Sequence, residues 1–594
     1  MKLATFVHNK VERFGLIIKH PKSEELWIFD PELTEVKLRL YSSKFTSPLV
    51  LQQPGFLGAW PRELVKFLAL GDEGREALQK LETYLKRFLA QSDEAVLIGA
   101  GFPLSLVKLR APIPRPRLFF GLVQNSPTFT RNNPERLTAN IYPQGHQRPQ
   151  GSLLGPGDPV IVTKEMNTFN WTPEPGIIIG KKGKNISATE AKDYIAGYTL
   201  VMDLVHDRYM DQLRKHAKDE KLDWFEEATG SWLGKKSDAM GAMGPFLTTP
   251  DEVGNPYDLL LYTRQSGFLR DRAHTGSMLI GFERAINWLS SFMELHPGDV
   301  IHMGTLAFDG MFITDNMKFE ADDYIEGELE QVGNLRLPIV ISSKDDWRAE
   351  DDPSHIHSAP AARDLITSKQ TEIKRFSLDQ TRHYWTVFGN YQDAKEVEGL
   401  EQRKLPRILN APASALNTSG SLIHVPKNTT TISVGLELAF VIKKLAYRVH
   451  KEEAGHYILG YSPLIVLHDS SFSDIISFPA TPQEANLPTF YARWPDGFNI
   501  MSEDLTELES MQIKNRTMQL NVEGIASLST STDEYILVAS DIIAFLSQEI
   551  TLFPGDVITL GRVKEKISLP TMTDAIKIKA SIEGLAEVKA TLMI

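Results

Sequence analysis

The chain has 594 residues, no cysteine, a formal net charge of −12, and 42% hydrophobic against 24% charged residues. The missing cysteine excludes disulfides, thiolate nucleophiles and Cys-ligated zinc or iron–sulfur sites. Charges of both signs mix along the chain without a basic stripe, so nucleic-acid binding has no electrostatic footprint. No run of about 18 apolar residues suggests a membrane span. The opening MKLATFVHNKVERFG carries charges where a signal peptide needs an apolar core, so a cytoplasmic location is expected.

In chain order, FGLIIKH and ELWIFD predict short strands, and residues 63–91 have a helical period with i,i+4 charge pairs. Prolines in APIPRPRLFFGL mark an extended lead-in to a region dense in short β-type segments. Turn text at 155–159, 174–176 and 296–299 punctuates that region. Helices are expected at 282–294 and, after a Ser187/Glu190 capping box, at 188–196. Residues 343–379 lose the strand pattern and are expected to be a linker.

The chain then repeats itself. INWLSSFMELHPGDVIHMGT (286–305) returns as IAFLSQEITLFPGDVITLGR (543–562), and LFFGLVQN (118–125) returns as TVFGNYQD (386–393). Between them GIIIGKKGKNISATEAKDYIAGYT (176–199) matches AFVIKKLAYRVHKEEAGHYILGYS (439–462). The offset drifts from about 268 to about 257 residues, far too long for a solenoid period. The expected organisation is an N-terminal domain (1–115), repeat one (116–342), a linker (343–379) and repeat two (380–594). The expected class is α+β, mainly β, with one domain used twice and packed as an intramolecular pseudo-dimer that leaves room for a further homodimer.

The landmarks of repeat one, in order, resemble the fumarylacetoacetate hydrolase family. They are GSLLGPGDPVIV (151–162), EPGIIIGKKGKNIS (174–187), AKDYIAGYTLVMD (191–203), GKKSDAMGAMGPFLTTPDEV (234–253), LSSFMELHPGDVIHMGT (289–305) and GELEQVGNLRLPIV (327–340). Repeat two matches more loosely, through GNY (389–391), LELAFVIKK (436–444) and FPGDVITLGR (553–562). The resemblance implies a mixed β-roll, here twice over with an N-terminal α/β extension. It also implies a central site with Mg²⁺ or Mn²⁺ that binds small 2-oxo or 1,3-dioxo acids or acyl substrates. A hard divalent cation chelated by carboxylate and keto oxygens would stabilise an enolate as a Lewis acid.

Residue by residue, the resemblance makes Glu174 and Asp203 the metal ligands, while the first glutamate of the family's Glu-x-Glu pair is replaced by Thr172. His206, Asp207 or Glu165 could fill in. Lys235 and Thr305 take catalytic positions, and Arg148, Thr275 and Thr305 contact substrate, with Arg148 at the pocket mouth. The family's lid histidine falls on Pro127 in repeat one and on Ala394 in repeat two, where Tyr391 is kept. Repeat two also has Gly435 for the first glutamate, Glu437 for the second, and Val466 at the aspartate position. It is expected to be a scaffold.

Without the lid dyad, C–C cleavage driven by activated water is disfavoured relative to decarboxylation or tautomerisation, which need an electron sink and a proton shuttle. Two other readings compete: a catalytically inactive binding or scaffold protein, and a metal-independent enzyme that condenses or cyclises its substrate. Other polar clusters carry less weight. His355 and His357 lie in linker text, His146 could line the pocket, His206-Asp207 recurs as His468-Asp469, and Gly180–Gly183 lacks phosphate-loop spacing.

Overall fold

The structure, a computed structural model, describes residues 1–44, 60–91, 97–123, 125–127, 143–163, 169–217, 222, 224–306, 319–320, 322–342, 372, 374–393, 405–426, 429, 431–474, 488–508, 510–563, 566–570 and 575–593. Glu165, His355, His357 and Ala394 lie outside the described residues, as does most of the expected linker.

Each repeat is built around one long antiparallel strand pair, which follows from two apolar runs flanking a polar turn. The strands used below are β1 (Lys2–His8), β2 (Val11–Lys19), β3 (Leu26–Phe29), β4 (Phe119–Leu122), β5 (Gly145–Gln147), β6 (Phe169–Ile179), β7 (Ile195–His206), β8 (Gly241–Thr248) and β9 (Val300–His302). Repeat two contributes β10 (Tyr384–Phe388), β11 (Ile432–Ile442), β12 (Ile458–Asp469), β13 (Asn499–Met501) and β14 (Val557–Arg562). The helices are α1 (Gly71–Gln91), α2 (Trp224–Lys236), α3 (Phe282–Phe292) and α4 (Ala539–Leu546).

A twelve-stranded sheet runs β3-β2-β1-β8-β7-β6-β9-β4-β5 from Gly101–Pro103 inward, and a five-stranded sheet covers one of its faces. Repeat two has an eight-stranded sheet centred on β10-β14-β11-β12-β13 and its own five-stranded partner. The chain is thus mainly β, with the same two-sheet unit present twice.

The N-terminal segment extends the sheet of repeat one. β1 pairs antiparallel with β8, Lys2 opposite Thr248 and Leu3 opposite Leu247. The α1 side chains Leu78, Leu81 and Leu85 then pack over Phe119, Ile178, Val201 and Val300 on that face of the sheet. The expected helix over 63–91 is present in two pieces, Leu64–Leu68 and α1, and the 282–294 helix is α3. The 188–196 helix is only a 3₁₀ turn at Ala191–Tyr194, although Ser187 Oγ does donate to Glu190 at 2.6 Å.

Helix α2 was not expected. Its text, WFEEATGSWLGKK, contains two glycines of poor helix propensity. Tertiary packing overrides that cost, because a Cβ on Gly234 would lie 2.0 Å from the carbonyl oxygen of His206. Only a glycine lets α2 rest on the end of β7, and that contact aims Lys235 and Lys236 into the sheet.

The two repeats share one apolar core, in which Phe120, Trp288 and Phe292 meet Tyr491, Trp494 and Phe472 edge to face. Polar pins cross the same boundary. The Tyr491 hydroxyl accepts from the Gly145 N–H at 2.8 Å and donates to its carbonyl at 2.7 Å. Asp238 accepts from the Thr551 hydroxyl at 2.6 Å and its N–H at 3.2 Å. Repeat two thereby fixes β5. Tyr491→Phe leaves both Gly145 groups without that partner and should cost about 1–3 kcal/mol, read as a lower urea midpoint with an unchanged slope.

Candidate active site

Antiparallel pairing sets Thr172 opposite Asp203 and Glu174 opposite Val201. Opposed residues share a face and the side-chain period is two, so Thr172, Glu174 and Asp203 project together. β9 adds His302, and its pairing partner across β4 is Gly121, which in turn pairs with His146 on β5. A polar row therefore crosses four strands: Glu174, His302, Gly121, His146.

Each surviving carboxylate is occupied by this chain's own side chains. Glu174 is buried, with Oε2 on His302 Nδ1 at 2.5 Å. Its Oε1 accepts from Thr305 at 3.2 Å and Thr172 at 3.4 Å, and these two hydroxyls lie 3.1 Å apart. Asp203 takes Arg148 on one oxygen and Lys235 on the other. Arg148 also donates to the carbonyls of Lys235 at 2.5 Å and Met240 at 2.6 Å, and Lys236 donates to that of Gln147 at 2.9 Å.

Burial opposes ionisation of Glu174, but His302, Lys235 and Arg148 outweigh it and hold the carboxyl below its usual range. Burial, with repulsion from Arg148 and a partial offset from Glu174, brings Lys235 down to about 7. Burial likewise brings Arg148 down to about 9, against the attraction of Glu174. His146 is pushed well below its usual value by burial, then by Lys236, Arg148 and Lys235.

The donor set does not fit a divalent cation. Thr172 offers a neutral hydroxyl where a carboxylate is needed, and Arg148 and Lys235 already neutralise Asp203. Among the described residues, no group of three or more acidic or histidine side chains could hold a metal ion. A dication would enter a region already lined by Arg148, Lys235 and Lys236.

Thr305 and Lys235 stand in the constellation. Arg148 does too, but as a buried group at 2% exposure rather than at the pocket mouth. Thr275 stands apart: its hydroxyl accepts from the Leu259 N–H at 3.0 Å, and no bond joins it to the site among the described residues. His206 cannot fill in, because its Nε2 is on Ser237 at 2.8 Å and its Nδ1 accepts from the Arg208 N–H at 3.3 Å. The recurrence of His206-Asp207 as His468-Asp469 is also out of register. Phe169 pairs with His206 and Ile432 with Asp469, so His206 corresponds to Asp469.

In repeat two Gly435 lies opposite Val466, the register equivalent of Thr172 opposite Asp203. Lys235 precedes Gly241 by the same spacing as Arg493 precedes Asn499, and those residues pair with Asp203 and Val466. Arg493 turns to Glu437 instead, bidentate at 2.9 and 3.1 Å, and also bonds the Tyr384 hydroxyl at 2.7 Å and Asn499 at 3.1 Å. That site is closed by its own arginine.

His302 is the residue the sequence reading missed. Its signal lay in the repeat: IHMGT aligns with ITLGR, so His302 stands where repeat two has Thr559. His146, weighed from the sequence as a residue that could line the pocket, is present in the row.

The model of the fumarylacetoacetate (FAA) hydrolase C-terminal family matches residues 120–340 and 383–593. The chain belongs to that family. It is 28% identical over 283 residues to the mitochondrial oxaloacetate tautomerase Fahd2a of Rattus norvegicus, covering 48% of this chain and 81% of the relative. Over 189 residues it is 33% identical to the corresponding Xenopus laevis protein, 32% of this chain; it spans only 55% of that relative's length. Among solved structures it is similar to a 5-carboxymethyl-2-hydroxymuconate delta-isomerase from Mycobacterium smegmatis, with 20% identity and a TM-score of 0.38 over 58% of this chain and all of that one. A maleylpyruvate hydrolase from Sphingobium sp. SYK-6, in complex with manganese (II) ion and pyruvate, matches at 22% identity, with the same TM-score and coverage. The relatives' names place them in mitochondria, where a cytoplasmic location was expected for this chain. No helix among the described residues is long and apolar enough to cross a membrane.

The Arg493–Glu437 pair is a buried ion pair, so breaking it from one side strands a charge. Arg493→Met should cost about 3–5 kcal/mol. The double variant Glu437→Gln/Arg493→Met should lose less than the single one in urea unfolding. A single variant as stable as the parent would show that the pair is not closed.

Proposed function

We propose that the chain is an enzyme of small 2-oxo or 1,3-dioxo acids with one working site, in the N-terminal repeat, and that it acts through an enolate. The observation that carries this reading is Asp203 bracketed by Arg148 and Lys235, beside Glu174, in the place the family gives to a cation. The names of the tautomerase relatives add oxaloacetate as a first substrate to test.

Fixed side-chain cations supply the charge stabilisation. The Lys235 ammonium has three donors and uses one on Asp203, so it can hold the carboxylate of an anionic substrate. The low-dielectric surroundings strengthen that attraction, and the cation is already in place before charge develops at the carbon next to the carbonyl. Thr305 and Thr172 add hydroxyls beside Glu174. Keto–enol interconversion or decarboxylation needs no more than this sink and a proton carrier, whereas hydrolysis needs a base for water. Pro127 at the lid-histidine position speaks against the latter.

A divalent-metal version of the same chemistry keeps Glu174 and Asp203 as ligands and requires Arg148 and Lys235 to leave Asp203. Calorimetric titration separates the two. With Mg²⁺ or Mn²⁺ the wild type should show no saturable site below millimolar metal. One equivalent, lost in both Glu174→Ala and Asp203→Ala, would reinstate the metal. Loss of one electrostatic donor typically costs about 10²–10³ in turnover. Lys235→Met should therefore slow oxaloacetate tautomerisation, followed by the enol's ultraviolet absorbance, by about that factor. A variant as fast as wild type would remove Lys235 from the mechanism.

A further inference from the structure

Along β11 the side chains alternate. Val434, Leu436 and Leu438 enter the apolar core of repeat two, which turns Ser433, Gly435 and Glu437 to the opposite face. On that face His468 lies opposite Ser433, and Val466 opposite Gly435. On the other flank of β11, Ser433 pairs with Ser568 of the short strand Ile567–Ser568, and Glu437 pairs with Arg562 of β14. A Cβ built on Gly435 would lie 3.4 Å from Arg562 Cδ and 3.8 Å from Lys566 Cγ, so both cationic stems run beside this glycine.

Two buried donors of this face have no partner among the described residues. Ser433 and His468 are each only 5% exposed, and neither the Ser433 hydroxyl nor either ring nitrogen of His468 makes a hydrogen bond. An imidazole presents at least one N–H in either tautomer and in either charge state. His468 is therefore a buried donor whichever nitrogen holds the hydrogen. Buried polar groups are nearly always satisfied, so two such donors facing each other across a strand pair mark the place of a polar ligand.

The surrounding charge selects the sign of that ligand. Among the described residues, the charged groups acting on His468 are Lys566, Arg562 and Arg493, which together with burial push its pKa well below the usual value. The nearby carboxylate, Glu437, has both oxygens on Arg493. Water would answer only the two donors. An oxyanion accepts from both and is attracted by the cations as well, and hydrogen bonds to an ionised acceptor are the stronger kind.

We propose that repeat two carries a ligand site of its own, in which Ser433 and His468 bind a small oxyanion, a carboxylate or phosphate group, beside Arg562 and Lys566. The site has no counterpart in repeat one, where the register equivalents of Ser433 and His468 are Asn170 and Val205, and where Thr305 stands in place of Arg562. It is also independent of the chemistry assigned to repeat one.

The test removes the cation of repeat one first. Full-length Lys235→Met, titrated calorimetrically with inorganic phosphate and separately with oxalate, should bind at least one of them saturably, at one equivalent and about millimolar Kd. Adding Ser433→Ala or Lys566→Gln should weaken that binding about tenfold or more, the usual effect of losing a contact to a charged group. Tighter phosphate supports the site as one for a phosphate-bearing ligand, and tighter oxalate supports it as one for a carboxylic acid. Affinity untouched by both substitutions, or no saturable binding of either anion at millimolar concentration, overturns the proposal. Should the variants fail to fold, wild-type crystals soaked in selenate decide. An anomalous peak within hydrogen-bond distance of the Ser433 hydroxyl and the His468 ring is expected, and the absence of one overturns the site.

Discussion

The register of one antiparallel strand pair governs the molecule, because a slip of one residue would turn every polar side chain of the site to the opposite face. In β6–β7 that register opposes Thr172 and Asp203; in β11–β12 it opposes Gly435 and Val466. Everything else is placed relative to it. β9 brings His302 to Glu174, β4 supplies the gap at Gly121, and β5 adds His146 and leads directly into Arg148. On the other side, α2 leans on the end of β7 and delivers Lys235.

Buried charge is the second constraint. A carboxylate taken out of water must be paired or it will protonate. Both repeats meet this demand with a cation from the same segment, Lys235 in one and Arg493 in the other. They differ in what is left over. Arg493 has a bidentate partner, a tyrosine hydroxyl and an amide oxygen, and Glu437 has both oxygens used. Among the described residues, Lys235 shares Asp203 with Arg148 and keeps donors free, and the histidines nearby keep free nitrogens. The Glu437–Arg493 pair of repeat two is self-satisfied. Repeat one remains chemically open.

Much of this was legible in the sequence. Duplicated landmarks gave the two-sheet unit twice, and the motif order gave the family. Carrying positions over singly placed Glu174, Asp203, Lys235 and Thr305 in one constellation. Four things escaped for physical reasons. α2 has weak propensity and exists because Gly234 fits against a carbonyl, a contact no local pattern reveals. Arg148 looked like a pocket-mouth cation because chain position says nothing of depth, yet its guanidinium is among the most buried groups in the chain. Thr275 shares a motif with substrate-contacting threonines, but its hydroxyl is taken up by the Leu259 backbone. His302 was hidden in an apolar strand and could be seen only against Thr559.

The N-terminal segment and repeat two play complementary parts in keeping repeat one open. β1 on β8, with α1 above, covers the apolar end of the site face, so the sheet needs no side chain of its own to seal that end. Tyr491 grips Gly145 by both backbone groups from the other side, which fixes β5 without using His146, Gln147 or Arg148 for the purpose. Strand positions adjacent to a reactive site usually have to anchor and function at once. Here the anchoring is done by a tyrosine from the duplicate copy. That division of labour gives a physical reason for retaining a second repeat whose own carboxylate is closed: it supplies the rigid wall against which the polar row of the first can stay unsatisfied.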